Sequence, residues 1–306
     1  MVHFEGYLSQ RNLNIDPQTL YSQMLERSSM LSYDERLDEV SFRHRSFAEF
    51  FHAKCLDKQR TVEITEKVFH PYWANSYFFY VGLKKDCPEI LEEIINVDVS
   101  KNDGARLAKM VNLGSFLLAG YKTPYDIITK GIQRGFNEMA SYYLDVSEKK
   151  EKSFLDKLPK LHVLGIFSTV AQQSYSYSFF QNAIRECIEE IETASQCSYI
   201  EESPYALLLL DAALEEIDGE KVFSNLETIF GKGLPIPIQL LLTYRNGNSS
   251  VSHKATPLRN LEKRVRKNLK NSLGYRAIAR EIASTSINGN QQFSEKGKRL
   301  EPKRPR

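Results

Sequence analysis

Apolar residues recur at every third or fourth position along most of this chain, which is the spacing of amphipathic helices. Ile184, Cys187, Ile188 and Ile191 are one such set. The spacing predicts helices over 17–29, 76–83, 89–95, 103–119, 124–143, 151–172, 177–194, 204–216, 221–230 and 235–243. The breaks between these segments are short, and proline residues such as Pro88 stand where a helix is expected to begin.

A different pattern interrupts the helices near the N-terminus. Asp16-Pro17 is typical of an N-cap followed by proline at the first helical position. After helix 17–29, the sequence predicts a strand from Ser29 to Leu31, a polar turn over 33–39 and a second strand from Val40 to Arg43. Helix, hairpin and helix follow each other in the order that a winged helix requires, with its first helix or two missing or compressed into residues 1–14.

The predicted fold class is therefore mainly α: a partial winged helix with a small β-hairpin, followed by an irregular α-solenoid of helical repeats. Helix pairs recur about every forty residues in places, as in HEAT-like arrays. We expect a winged-helix-like segment over 1–58, a helical repeat region over 59–253, and a basic helix with a disordered tail over 254–306. Solenoids of this kind present concave faces to partner proteins.

The second strand runs into the most informative motif, VSFRHRSFAEFFHA over residues 40–53. Eight positions match the pattern FxHxSFQE[YF]FAA: Phe42, His44, Ser46, Phe47, Glu49, Phe50, Phe51 and Ala53. Ala48 and His52 depart from it. Over roughly residues 15–60 the chain thus resembles the end of the NTPase module in NACHT-type STAND proteins, the signal-transduction ATPases with numerous domains.

The resemblance implies a winged-helix end followed by a helical sensor. It implies a role in prokaryotic signalling or defence against phage, with a protein trigger or partner recognised by the solenoid. Nucleotide would then be bound by an NTPase module that is lost from this chain or encoded separately. A full-length relative would be an ATPase, whereas the motif in this chain is not preceded by phosphate-binding machinery.

The motif also has a physical interpretation. Phe47, Phe50 and Phe51 fall on one helical face, which we expect to be buried against a neighbouring helix. Arg43, His44 and Arg45 place positive charge at the helix entrance, where a phosphate or carboxylate is favoured. The resemblance implies that His44 approaches nucleotide phosphates, and the alternative is that His44 only packs and caps the junction between hairpin and helix.

Composition narrows the class of protein. The chain has 306 residues, of which 42% are hydrophobic and 26% charged, as is ordinary for a folded soluble protein. No apolar run approaches the roughly twenty residues that cross a bilayer, and the N-terminus has no signal-peptide pattern. Four cysteines show no CxxC pairing. We therefore expect a cytoplasmic protein without membrane contact, with reduced and buried thiols.

Charge is distributed unevenly. Residues 254–306 hold fifteen Lys or Arg residues against four Glu residues, a net charge of +11 in a chain whose total is +2. A basic amphipathic helix is predicted over 257–285, and its candidate nucleic-acid contacts are Lys263, Arg264, Arg266, Lys267 and Lys270. Such a helix suits a phosphate backbone or an acidic partner. The alternative is that its apolar stripe covers the end of the acidic helical region while the cations remain solvated.

The sequence contains no complete catalytic or metal-binding motif. Gly114 to Thr123 resembles a phosphate loop only loosely, because its spacer is five residues long and Tyr121 separates Gly120 from Lys122. A buried helix that ends at Gly120 is the better interpretation. His52 and Cys55 stand three apart, but no second pair completes a metal site. We expect no enzyme activity, no cofactor and no metal.

Two function classes remain. The first is a non-catalytic sensor module of a STAND-type protein that binds a protein trigger. The second is a nucleic-acid-binding regulator that uses the winged helix and the basic C-terminal helix, although helix 17–29 offers few side chains that read bases.

Overall fold

The computed structural model describes residues 2–148, 153–197, 200–219, 224–247 and 256–277. The protein is mainly helical, as predicted. Its helices are α1 Val2–Gln10, α2 Pro17–Arg27, α3 Arg45–Asp57, α4 Ala74–Lys84, α5 Pro88–Asn96, α6 Asp103–Ala119, α7 Tyr125–Glu148, α8 Lys160–Ser174, α9 Gln181–Cys197, α10 Ser203–Asp218, α11 Ser224–Phe230, α12 Ile236–Gly247 and α13 Thr256–Asn271. Short 3-10 helices cover Glu66–Phe69, Phe154–Lys157, Ser178–Phe180 and Gly231–Gly233.

The N-terminal segment contains the predicted hairpin. The Asp16 carboxylate caps α2 by accepting a hydrogen bond from the Thr19 backbone amide at 2.8 Å, and Pro17 is the first helical residue. Strands β1 Leu31–Asp34 and β2 Glu39–Phe42 are antiparallel, with Leu31 opposite Phe42 and Tyr33 opposite Val40. The predicted first strand, Ser29 to Leu31, was wrong by two to three residues because the turn occupies only 35–38.

Helices α4 to α13 pack in two alternating series. Each even-numbered helix contacts the next even-numbered one, from α4 through α6, α8 and α10 to α12. The odd-numbered helices do the same from α5 through α7, α9 and α11 to α13. Neighbours in sequence, such as α6 and α7 or α9 and α10, join the two series. Helix α3 packs on α4 and connects the hairpin to this array.

Helix α10 forms the centre of the core. Every residue from Ser203 to Leu214 is buried, because α7, α8, α9, α11 and α12 surround the helix. A helix that is covered on all sides carries apolar residues around its whole circumference, as the run Ala206–Leu210 does. Gly219, with φ +68°, ends α10 in the left-handed conformation that favours glycine.

One predicted helix was wrong at its start. The segment 151–172 was expected to be a single helix, but α8 begins only at Lys160, after Pro159. A 3-10 turn at Phe154–Lys157 precedes it, capped by Ser153 and Asp156. Proline disfavours helical conformation in the residue before it, so the break is placed by Pro159.

Close approach between α6 and α8 depends on a glycine. A Cβ atom at Gly114 would stand 2.4 Å from the backbone oxygen of Ser174, at the end of α8. This distance is far below a van der Waals contact, and the obstructing atom belongs to the backbone. Gly114 therefore sets the spacing between these two helices.

Gly114→Ala is expected to lower the free energy of unfolding by about 1–3 kcal/mol, because the added methyl group forces α6 and α8 apart. Urea denaturation would measure the change. Gly165→Ala is the matched control: Gly165 lies inside α8 with open space beside it, so the same substitution should stabilise by about 0.5–1 kcal/mol. Equal effects of the two substitutions would contradict the role given to Gly114.

Candidate functional site

The motif of residues 40–53 forms the second strand and the first turns of α3. Glu49, Ala53 and Leu56 are the buried residues of this helix. The Asn75 amide donates a hydrogen bond to Glu49 Oε2 at 3.1 Å, and Arg45 Nε lies 2.7 Å from Glu49 Oε1. Glu49 thus joins the start of α3 to the start of α4.

The phenylalanines of the motif are not buried as predicted. Phe47 and Phe50 are half-buried, and Phe51 is 41% exposed. Phe42 is 39% exposed and stacks on Phe51 with ring centroids 5.6 Å apart. The prediction was wrong because α4 contacts α3 on the face of Glu49 and Ala53, leaving the aromatic stripe at the edge of that contact.

These rings continue an apolar surface on the hairpin. Leu31, Tyr33, Val40 and Phe42 occupy one face, since cross-strand partners point to the same side. Tyr33 is 46% exposed and Val40 39% exposed. We call this face, together with Phe51, the hairpin face. Tyr33, Val40, Phe42 and Phe51 all remain partly exposed, although a two-stranded sheet is only marginally stable alone.

The three basic residues of the motif have different environments. Arg43 donates from Nε to the backbone oxygen of Leu31 at 2.8 Å. Arg45 donates to the backbone oxygens of Pro71 and Tyr72 at 3.1 and 2.8 Å, and its guanidinium covers the Tyr72 ring. Both arginines therefore tie the motif to its surroundings.

His44 is exposed, as are Arg43 and Arg45. It precedes the first residue of α3 without a side-chain capping bond, and its ring lies 5.9 Å from the Phe47 ring. The contact with Phe47 agrees with the packing alternative. A contact between His44 and nucleotide phosphate stays a prediction.

A cleft of about 230 Å³ lies between α6 and α7. Its charged lining residues balance, with Arg106, Lys109 and Arg134 against Asp98, Glu138 and Asp145. Arg106 pairs with Asp145 at 2.7 Å, and Glu138 accepts from both Lys109 and Arg134. The pairs made by Arg106 and Lys109 join α6 to α7, and the charges of the cleft sum to zero.

The basic helix packs through one face. Leu261 and Val265 are each 1% exposed, and the helix contacts α11 and α12. The predicted apolar stripe is thus confirmed in its middle, whereas Leu273 is 79% exposed. The regular helix ends at Asn271 and a second helical stretch covers 273–277, whereas the rest of the predicted helix, 278–285, lies outside the described residues. The predicted disordered tail, 286–306, lies outside the described residues.

The predicted nucleic-acid contacts divide into two groups. Arg264 was wrongly included, because its guanidinium binds both carboxylate oxygens of Glu227 and donates to the Gly231 backbone oxygen at 3.0 Å. Lys263, Arg266, Lys267 and Lys270 are exposed, on the opposite side of α13. We call these four residues the basic stripe.

Breaking the Arg264–Glu227 pair is expected to loosen α13 from α11. Glu227→Gln should lower the free energy of unfolding by about 1–3 kcal/mol, the range for hydrogen bonds to charged groups that are lost in a partly buried site. Comparing Glu227→Gln, Arg264→Gln and the double variant in urea gives the coupling between the two side chains. Strictly additive effects would contradict a direct pair.

The phosphate-loop resemblance has a structural explanation. Gly114 lies inside α6, and Gly120 is the C-cap of the same helix. A Cβ atom at Gly120 would stand 2.7 Å from Leu91 Cδ1. Both glycines therefore serve helix packing, as the interpretation of a helix ending at Gly120 expects.

The cysteines follow the prediction in part. Burial raises the pKa of Cys87 to about 11 and that of Cys187 to about 12, so both stay protonated. Cys55 is exposed, contrary to the expectation of buried thiols.

Within the described residues, no group of three or more potential ligands is arranged to hold a metal ion. Likewise, none of the described helices is both long and apolar enough to span a membrane.

Comparison with protein families identifies the helical region. The family described as NACHT C-terminal helical domain 1 matches residues 115–291, from the last turn of α6 onward. The chain belongs to this family. No curated protein and no solved structure gives a significant match. The match confirms the resemblance to the C-terminal part of NACHT-type proteins that the motif at residues 40–53 indicated.

Two buried ionisable residues were not predicted from the sequence, one before the matched domain and one inside it. Lys109 and Asp211 are each 2% exposed. Lys109 donates to the backbone oxygens of Ile95 and Val97, both at 2.9 Å, at the end of α5. Asp211 interrupts the apolar run of α10, which is a sequence signal, whereas Lys109 lies beside Arg106 and Asn112 on α6 and gives no such signal.

Proposed function

We propose that this chain is a non-catalytic interaction module of a NACHT-type STAND signalling protein, in which an N-terminal winged-helix-like segment joins a helical sensor. The two alternating helix series support an α-solenoid of helix pairs, in which each pair contacts its neighbours. The order α2, β1, β2 and α3 supports a winged-helix-like segment. The sensor binds a protein trigger, in prokaryotic signalling or antiviral defence.

The observation that carries the proposal is the exposed apolar surface of the hairpin face. Exposed apolar patches rimmed by polar residues mark sites of protein interaction. The face precedes the matched domain in sequence, and the family description assigns that domain to the C-terminal part of NACHT proteins. The occupant we assign to it is therefore the NTPase module of a NACHT protein, supplied on the same or another polypeptide.

The test is direct association with a purified NACHT NTPase module from the same organism, measured by isothermal titration calorimetry. Wild-type chain should bind, and Phe42→Ser/Phe51→Ser should bind at least about tenfold more weakly, because loss of buried aromatic area at an interface costs more than 1.4 kcal/mol. Tyr121→Ser/Tyr177→Ser removes two exposed aromatics elsewhere and should bind as the wild type does.

Catalysis is tested separately. The chain by itself should neither bind nor hydrolyse ATP, since its phosphate-loop resemblance is accounted for by helix packing at Gly114 and Gly120. ATP turnover by the purified chain would overturn the non-catalytic assignment, and equal affinity of both aromatic variants would overturn the role of the hairpin face.

A further inference from the structure

We infer that helix α13 binds the phosphate backbone of double-stranded nucleic acid through the basic stripe, without reading base sequence. Lys263, Arg266, Lys267 and Lys270 follow the spacing i, i+3, i+4 and i+7, which aligns them on one helical face. The stripe spans about 10 Å of helix at 1.5 Å per residue. This inference is independent of the proposed function, since the hairpin face takes no part in it.

The opposite face of α13 fixes the stripe in place. Leu261 and Val265 are buried against the helical array, and Arg264 is held by Glu227 and by the Gly231 backbone oxygen. The cationic side chains therefore project from a helix whose position is set by packing. Preorganisation of this kind lowers the entropic cost of binding a rigid partner.

The stripe brings four cations together on one helical face. Across the described ranges, none of the four side chains forms an ion pair or a hydrogen bond, whereas Arg45, Arg106, Lys109, Lys130, Arg134 and Arg185 each pair with a carboxylate. A solvated outer face at the end of a helical array needs polar residues. It does not need residues of one sign, and a face of mixed charge would serve solubility equally well.

The partner is a duplex and not a single strand. Single-strand binding relies on aromatic side chains that stack on bases, and the sequence of α13 contains none. Tyr275, the nearest aromatic residue along the chain, is buried and donates to Gln239 Oε1 at 2.6 Å. Phosphate contacts by Lys and Arg without base contacts give binding that is independent of sequence and sensitive to salt.

The test is fluorescence anisotropy of the full chain with a labelled DNA duplex of about 20 base pairs, across a salt series. If the stripe neutralises about four phosphates, affinity should fall about 100-fold between 50 and 200 mM salt. The variant Lys263→Gln/Arg266→Gln/Lys267→Gln/Lys270→Gln should lose most of this salt dependence, its logarithmic slope falling by about 3 to 4.

The matched control removes the same charge elsewhere. Lys58, Lys101, Lys122 and Lys157 are exposed, and replacing all four by Gln should leave at least most of the affinity and the slope intact. Both variants should keep the wild-type urea midpoint, because all eight side chains lie on the surface. If the urea midpoints differ, the single variants Arg266→Gln and Lys267→Gln replace the fourfold variant in the test. Each should lower the slope of log affinity against log salt concentration by about 1.

Four results would overturn the inference. They are absence of duplex binding at 50 mM salt, equal loss of affinity in the stripe and control variants, tighter binding to a single strand of the same length, and stripe-dependent binding to phosphatidylserine vesicles without binding to the duplex. The first two remove the stripe as an anion site. The third and fourth assign it to another partner.

Discussion

Asp211→Asn is expected to stabilise the protein, with a gain that grows as the pH rises from about 4 to about 8. Asp211 lies at the centre of α10 and is 2% exposed. Burial raises its pKa from 3.8 to about 8, and the negative charges of Glu192 and Glu215 add to the shift. The folded protein therefore holds a neutral carboxyl group here at neutral pH, whereas the unfolded chain ionises it.

The sign follows from proton binding in the two states. Below pH 4 the carboxyl group is protonated in both states, so it adds no pH dependence. Between the two pKa values the folded state binds one proton more than the unfolded state, so the free energy of unfolding falls by about 1.4 kcal/mol for each pH unit. Asparagine has nearly the same shape and does not titrate, so the loss disappears in the variant.

Urea denaturation at pH 5, 6.5 and 8 gives the comparison. The difference in free energy of unfolding between Asp211→Asn and wild type should increase by a few kcal/mol across this range. Asp86→Asn serves as the control, because Asp86 is exposed and its replacement should leave the difference from wild type nearly independent of pH. A pH-independent difference for Asp211→Asn would mean that the carboxyl group is ionised in the folded protein.

Periodicity was sufficient to predict most helices but not which side chains they bury. The predicted 103–119 coincides with α6, and 89–95 and 204–216 lie within one or two residues of α5 and α10. These bounds follow from local signals, such as Pro88 at a helix start and Gly120 at a helix end. Burial of Asp211 depends on five surrounding helices that are distant in sequence, and a local pattern contains no information on them.

The motif at residues 40–53 shows the converse case, in which apolar residues predicted to be buried remain partly exposed. Spacing correctly placed Phe47, Phe50 and Phe51 on one side of a helix, but the neighbouring α4 packs beside that side. Phe50 reaches Phe79 of α4 with ring centroids 5.8 Å apart, whereas Phe51 turns towards Phe42. An apolar stripe predicts that some surface will be covered. On α3, Phe42 of the hairpin covers part of the aromatic stripe by stacking on Phe51, and the remaining surface of Phe51 is exposed.

Arg264 illustrates why cations in one run differ in function. It stands between Lys263 and Arg266 in sequence, yet it faces α11 and pairs with Glu227. The prediction assigned all five cations to the face opposite the apolar stripe. The 100° step of the helix instead places Arg264 beside Leu261 and Val265, within reach of a carboxylate some forty residues away in sequence. The other four cations of the run are exposed.

Lys109→Met is expected to destabilise the protein by about 3–5 kcal/mol, the cost of removing one partner from a buried ionic network. The Lys109 ammonium donates to Ile95 and Val97 at the end of α5 and to Glu138 of α7 at 3.0 Å. Its pKa is lowered because burial disfavours the charged form more than Glu138 favours it. The Lys109 ammonium therefore donates all three of its protons, two of them to backbone oxygens at the end of α5.

Methionine has a similar length and fills the same space, so the expected loss comes from hydrogen bonds and not from a cavity. Lys101→Met, at an exposed position between α5 and α6, should change the free energy of unfolding by no more than about 0.5 kcal/mol. Adding Glu138→Gln to Lys109→Met should restore only part of the stability, because the Ile95 and Val97 backbone oxygens still lack their donor. Full restoration would show that the Lys109–Glu138 pair alone gives Lys109 its importance, and a mild single variant would show that water replaces the ammonium at the end of α5.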